Sequence, residues 1–338
     1  MANEEVAGRG THREFLVVAH TGREVVTQTM DAIARHCAAA DVRLRVVDYD
    51  TRSRDHASAD EPEPAGNGRE RPASHPVDPE HLRNLGAAVQ VTTPEPASAE
   101  GCEVVIVLGG DGTFLRAAEL AYPAHVPVLG INLGHIGFLA EAEANRVDAV
   151  MQQLIAGDYR VEPRMTLDVA VIDPAQPDAP VARTWALNEV AILNRTNNGV
   201  LELVTEVDGR PVSAFGADGV LVATPTGSTA YAFSAGGPVM WPDLEAILVV
   251  PSNAHALFAR PLVTSPRSRI AVEIDKRGRA GVALCDGRRR IDVSAGARVE
   301  VVRSERSVLW VRIDSEPFTD RLVTKFDLPV TGWRGRQT

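Results

Sequence analysis

The chain is expected to be an α/β protein in two parts: a Rossmann-like N-terminal domain on a parallel sheet, then a β-rich C-terminal domain. Up to about residue 156, continuous apolar runs alternate with stretches of helical spacing. Beyond it, short alternating runs follow one another between turn signals such as Asp208-Gly209. Residues 319–326 then return to helical spacing, which predicts a terminal helix that packs back on the first domain. The expected borders are 1–140 with 314–338 for the first domain and 141–313 for the second.

Taken in order, Phe15-Leu16-Val17-Val18 predicts a buried strand, 22–39 an amphipathic helix, and 43–47 a second strand. Residues 51–79 are rich in Pro, Ser, Asp, Glu, Arg and Gly and hold almost no apolar side chains. Such a segment cannot offset its ordering entropy, so a disordered insertion is expected there. Residues 104–121 read as strand, tight turn and helix, 126–131 as a buried strand, and 145–156 as a helix. In the second half the spacing predicts strands over 166–172, 184–193, 201–207, 220–223, 269–274, 281–284, 298–303 and 308–313.

Composition narrows the function classes. The 338 residues, 44% apolar and 24% charged, suit a soluble globular protein with a sizeable core. A net charge of −10 argues against a nucleic-acid partner. No apolar stretch approaches a membrane span, and Met1-Ala2-Asn3-Glu4-Glu5 lacks the layout of a signal peptide. Cys37, Cys102 and Cys285 form no CxxC pair, which points to a reducing, cytoplasmic setting and no metal cage. Lys276 and Lys325 are the only lysines, and neither follows a glycine loop. A Walker A loop and a protein-kinase lysine are therefore both absent.

The densest chemical signal is Gly109-Gly110-Asp111-Gly112-Thr113, between the apolar run Val104-Val105-Ile106-Val107-Leu108 and a helix. Glycines permit close approach of a ligand to the backbone, and free N–H groups at a helix start attract phosphate. A carboxylate in a place suited to anions calls for a task, and accepting a proton from a hydroxyl during phosphoryl transfer fits. Asn132-Leu133-Gly134-His135-Ile136-Gly137-Phe138-Leu139 leaves a strand either as a plain connection or as part of a ligand crevice. Asn188-Glu189 interrupts an otherwise apolar run, so at least one of the two must meet a hydrogen-bonding partner unless one face is solvated. Residues 218–238 pass from a buried strand into a loop dense in Thr, Ser and Gly, suited to a flat polar ligand. His255 and Arg260 stand near a further turn at Pro261, where His255 is either a ligand contact or a satisfied core or surface residue and Arg260 can simply close a strand.

In this order, GGDGT at 109–113, NLGHIGFL at 132–139, LNE at 187–189, DGVLVATPTGSTAYAFSAGGP at 218–238 and HALFARPL at 255–262 resemble the NAD kinases. The resemblance implies phosphorylation of NAD at the adenosine 2′-hydroxyl to give NADP, with ATP or inorganic polyphosphate as donor and Mg²⁺ carried by the donor. It implies Asp111 as general base, with Gly112 and Arg116 contacting NAD, and Asn188 and Glu189 binding adenine and ribose. Asp218 would reach NAD, in some members from a neighbouring subunit. Thr229, Ala230, Tyr231 and Ser234 would wrap the adenosine. Gly109, Gly110, Thr113 and His255 would serve the donor's phosphates. Arg288 stands where many members carry Gln. The family fold is an α/β domain and a β-rich domain with the active site between them, in homodimers or homotetramers. Two rivals share the glycine turn or the fold: a diacylglycerol-type lipid kinase and a catalytically silent NAD-binding regulator. The Asn188-Glu189 pair argues against the first, and retention of Asp111 against the second.

Overall fold

The computed structural model describes residues 13–19, 24–47, 79–134, 137–177, 179–195, 199–256, 259–313 and 317–330. The expected insertion at 51–79 lies outside these residues, except for Pro79. The chain divides into two units, Met1–Glu162 with Leu309–Thr338, and Pro163–Val308.

In the first unit, strand β1 (Glu14–Ala19) leads into helix α1 (Glu24–Ala39) and strand β2 (Arg43–Val47). Helix α2 (Pro79–Asn84), strand β3 (Val89–Thr92) and strand β4 (Val104–Leu108) follow. Helix α3 (Asp111–Ala124) connects β4 to β5 (Val128–Asn132), and the chain continues through β6 (Ala142–Glu143), α4 (Val147–Ala156) and β7 (Arg160–Arg164). The pairings β1–β2, β2–β3, β1–β4 and β4–β5 are all parallel. Helix α4 contributes Val150, Met151 and Leu154 to the cluster that holds Met30 and Ile33 of α1. That shared core keeps the chain in the first unit as far as Glu162, past the border expected at 140.

The second unit is a pair of antiparallel sheets. Its elements are β8 (Leu167–Ile172), β9 (Ala182–Ala186), β10 (Glu189–Asn194), β11 (Leu201–Val207), β12 (Arg210–Ala217) and β13 (Gly219–Ala223). The short helix α5 (Tyr231–Ser234) precedes β14 (Ile247–Ser252), β15 (Leu262–Thr264), β16 (Ile270–Ile274), β17 (Gly281–Cys285), β18 (Arg289–Val293) and β19 (Arg298–Arg303). One sheet runs β15-β14-β13-β10-β17-β18 and the other β12-β11-β16-β19-β8-β9. Val190, Val220, Val222 and Val249 of the first share a core with Val169, Leu203, Val272 and Val299 of the second. The outer face of the first sheet is also covered, by Ala232 and Met240 against Leu221, Ala223, Leu248 and Val250. Burial on both faces explains why Gly219–Ala223 is apolar throughout, although its neighbours are antiparallel.

The single run expected over 184–193 is two strands in different sheets. β9 pairs with β8, β10 pairs with β13 and β17, and Leu187-Asn188 crosses between them. The chain then returns to the first unit as β20 (Val308–Arg312) and helix α6 (Phe318–Phe326). The run 308–313, expected in the β-rich domain, instead pairs in parallel with β5 through Trp310 and Val128. The first sheet is then ordered β3-β2-β1-β4-β5-β20-β7, with β6 beside β5. Arg321 of α6 donates to Glu141 at 2.9 Å, and Phe318 and Phe326 pack on Phe138.

Candidate active site

Strand order in the first sheet reverses between β1 and β4, and such a switch point is where open α/β sheets leave a crevice at their carboxyl ends. The Gly109–Thr113 turn follows β4 at that position. Gly109 has a packing reason to be glycine, since a Cβ there would lie 2.5 Å from Thr113 Oγ1. Gly110 and Gly112 have none: both are exposed, and a Cβ at either would meet nothing within 4 Å. The open space beside them suits a ligand. Gly110 is the N-cap of α3 and its carbonyl accepts from the N–H groups of Thr113 and Phe114. The N–H groups that open a helix have no intrahelical acceptor and carry the positive end of its dipole.

Asp111 stands in the first turn of α3, half-buried. Its carboxylate accepts from the N–H of Phe138 at 3.2 Å and that of Leu139 at 3.0 Å. The segment 132–139, read from sequence as connection or crevice, thus grips the turn's carboxylate. Gly137 permits the grip, because a Cβ there would collide with Asp111 Oδ1. Arg116 lies one helical turn beyond Gly112, exposed on α3. His135 and Ile136 lie outside the described residues.

The second unit carries the other group of candidates. Asn188 and Glu189 are both buried, at 7% and 5% exposure, so neither faces solvent. Asn188 Oδ1 and Glu189 Oε2 are buried without a hydrogen-bond partner among the described residues. Burial, reinforced by the charge of Asp286, pushes the Glu189 carboxyl up to about 8, against a backbone hydrogen bond from Tyr231 that lowers it. The crossing at Leu187-Asn188 is held from two sides. Asp286 accepts from the N–H of Leu187 at 3.0 Å and of Asn188 at 2.7 Å. On the other side, the Thr224 hydroxyl donates to the Leu187 carbonyl at 2.6 Å, and the Thr224 N–H to that of Asn188 at 2.9 Å. Gly227 passes so close to Asn188 that a Cβ would strike its carbonyl.

Thr229 and Ala230 follow as half-buried residues, and Tyr231 and Ser234 are exposed on α5. The backbone bond from Tyr231 brings this loop to Glu189. Asp218 does not join it. β13 pairs Ala223 with Glu189 and Gly219 with Leu193, so Asp218 lies beyond the opposite end of that strand. There Asp218 accepts from Asn253 at 2.7 Å, and the N–H of His255 donates to Gly216. Sequence reasoning passed over Asp286, whose Asp-Gly turn with positive φ at both residues masks its second use. Beside it, Arg289 pairs with Asp286 and lies 4.2 Å from the centre of the Trp185 ring. Among the described residues no cluster of three or more His, Cys, Asp or Glu could hold a metal, and no helix is long and apolar enough to cross a membrane.

Comparison with known proteins agrees with both units. Residues 15–159 match the ATP-NAD kinase N-terminal domain and residues 187–313 the ATP-NAD kinase C-terminal domain. The NAD kinase of Rhodococcus erythropolis is 57% identical over 330 residues, covering 97% of this chain and 98% of that protein. The NAD kinase of Mycobacterium tuberculosis is 54% identical over 325 residues, covering 96% and 99%. Among solved structures, yeast NADH kinase complexed with NADH shares the fold with a TM-score of 0.75 at 22% identity, covering 98% of this chain and 91% of that one. An Archaeoglobus fulgidus NAD kinase in complex with ATP gives a TM-score of 0.59 at 29% identity, covering 73% and 92%. Its two units and their glycine turn make the chain a two-domain α/β phosphotransferase in architecture. It belongs to the NAD kinase family.

Proposed function

We propose that the chain phosphorylates NAD at the 2′-hydroxyl of the adenosine ribose, giving NADP, with Asp111 as general base. The observation that carries the reading is the Asp111 carboxylate, fixed by two backbone N–H groups at a helix mouth beside open glycines. Phosphoryl transfer proceeds through a loose, charge-spread transition state, so positioning and electrostatics carry most of the catalysis. A carboxylate need only accept the hydroxyl proton as the new P–O bond forms. The N–H groups at the start of α3 would meet the donor's phosphates, with Gly109, Gly110 and Thr113 shaping the turn and Gly112 and Arg116 nearby.

Asn188 and Glu189 are assigned to the nucleoside, because each presents a buried polar atom with no hydrogen-bond partner among the described residues, which a bound ligand would satisfy. Thr229, Ala230, Tyr231 and Ser234 belong to the same recognition loop. ATP is the favoured donor, supported by the relative solved with ATP. Mg²⁺ would arrive bound to that donor. In a homodimer or homotetramer Asp218 would reach NAD from a neighbouring subunit, and His255 would stand near the donor's phosphate. The setting is cytoplasmic.

Purified protein given NAD, ATP and Mg²⁺ should make NADP, read with an NADP-specific dehydrogenase. Asp111→Asn should lower kcat by roughly 10²- to 10⁴-fold while NAD still binds. Full activity in that variant would remove Asp111 as the base. Offering polyphosphate in place of ATP tests the donor, and phosphorylation of diacylglycerol alone would overturn the substrate assignment.

A further inference from the structure

The segment from Phe138 to Glu141 does more than supply two N–H groups to Asp111; both of its ends are anchored to helix α6. At one end the Phe138 ring packs on Phe326 and Phe318, with centroids 5.5 and 6.1 Å apart. Arg321 Nη1 lies 3.5 Å from the Phe138 carbonyl. At the other end the Glu141 carboxylate, wholly buried, accepts from Arg321 at 2.9 Å and pairs with Arg312 at 3.3 Å. It also accepts from the N–H of Ile313 at 3.2 Å, while its own backbone N–H donates to Gly130 of β5 at 2.8 Å.

A buried ion pair is a poor way to stabilise a fold, since desolvation consumes most of the Coulombic gain and an apolar pair of similar volume does as well. In some proteins such a pair instead fixes conformation. Here the position fixed is that of the segment whose Phe138 and Leu139 N–H groups are the hydrogen-bond partners of the Asp111 carboxylate among the described residues.

We propose that α6 is a positioning element for the Asp111 carboxylate: Arg321, through Glu141, and Phe326, through Phe138, hold the 138–141 segment in the register that aims the base. This rests on the assignment of Asp111 above. Arg321 and Phe326 are positioning residues. Loosening them misplaces the carboxylate without touching the groups assigned to NAD binding, so the loss falls on turnover rather than on affinity.

The test compares Arg321→Met, Arg321→Lys, Phe326→Ala and Asp111→Asn, with the double variant Asp111→Asn/Arg321→Met, in steady-state kinetics normalised to folded protein. Arg321→Met and Phe326→Ala are each expected to lower kcat by roughly 10- to 100-fold, the scale of a sub-ångström to ångström misplacement. KM for NAD should stay within about twofold, and Arg321→Lys should recover much of the loss. The double variant should be no slower than Asp111→Asn alone, because both changes act through one carboxylate. If Arg321→Met does not fold because Glu141 loses a partner, Phe326→Ala carries the same reading with no charge removed. An unchanged kcat in Arg321→Met and Phe326→Ala, beside a slow Asp111→Asn, would overturn the proposal and leave Asp111 as the base. A multiplicative loss in the double variant would also overturn it. A fast Asp111→Asn would overturn the base assignment and this proposal together.

Discussion

Glu189 shows what a site costs the fold that carries it. Its carboxyl, at 5% exposure and beside Asp286, is pushed up to about 8, so near neutral pH it is held largely protonated. Because the folded value lies above the ordinary one, the neutral form stabilises the native state fully at pH below about 4.5. That contribution is lost as pH rises towards 8 and is gone above it. Glu189→Gln has no proton to lose. The variant's advantage in melting temperature over the parent, measured without ligand, should therefore grow from about pH 5 to pH 8 and then level off. The total should be on the order of a few kcal/mol. A difference independent of pH would show that Glu189 titrates normally. The same residue is legible in the sequence only as an anomaly, a polar pair within an apolar run; which atoms remain unsatisfied depends on what the fold places around it.

At the scale of elements, the sheet crossing at Leu187-Asn188 is the part that sequence spacing misreads. Periodicity is continuous across 184–193 because β9 and β10 each bury apolar residues, although they belong to different sheets. The crossing stands because a distant hairpin supplies Asp286 to its N–H groups and Thr224 covers its carbonyls. Asp286→Ala removes the acceptor of two buried N–H groups, at about 1–3 kcal/mol for each orphaned donor. It should lower the melting temperature and raise KM for NAD by roughly tenfold or more, with a smaller effect on kcat; titrating NAD in steady-state assays checks this. An unchanged KM would release Asn188 and Glu189 from dependence on this aspartate. Strands β3, β6, β7, β12, β14, β15 and β18 were not foreseen from the sequence; β14 is an interior, buried strand, whereas β3, β7, β12, β15 and β18 each lie at the edge of a sheet. An edge strand buries less and tolerates proline, as at Pro163 in β7 and Pro211 in β12, so its apolar signature is weak.

At the scale of the whole molecule, the largest described core of each unit is built from its own residues, which predicts two separable stabilities. Leu129 lies in the core of the first unit and Ile270 in that of the second, both fully buried. Leu129→Ala and Ile270→Ala should each cost about 2–5 kcal/mol. In denaturant unfolding followed by hydrogen exchange, each should weaken protection chiefly in its own unit. Equal loss of protection throughout, for either variant, would mean that the units unfold as one.

The local chemistry was legible in the amino-acid order: the glycine turn with its carboxylate, the change from helical to alternating spacing, the polar pair in an apolar run and the hydroxyl-rich loop. These depend on short-range backbone geometry and on the period at which apolar side chains recur, and both are written in neighbouring residues. Only the tertiary structure assigned the strand 308–312 to the first sheet, brought Asp286 under Asn188, and tied Arg321 to Glu141 across 180 positions. Those contacts join residues far apart in the chain, and their partners are selected by burial, where an unpaired charge or N–H is costly, and not by any local pattern.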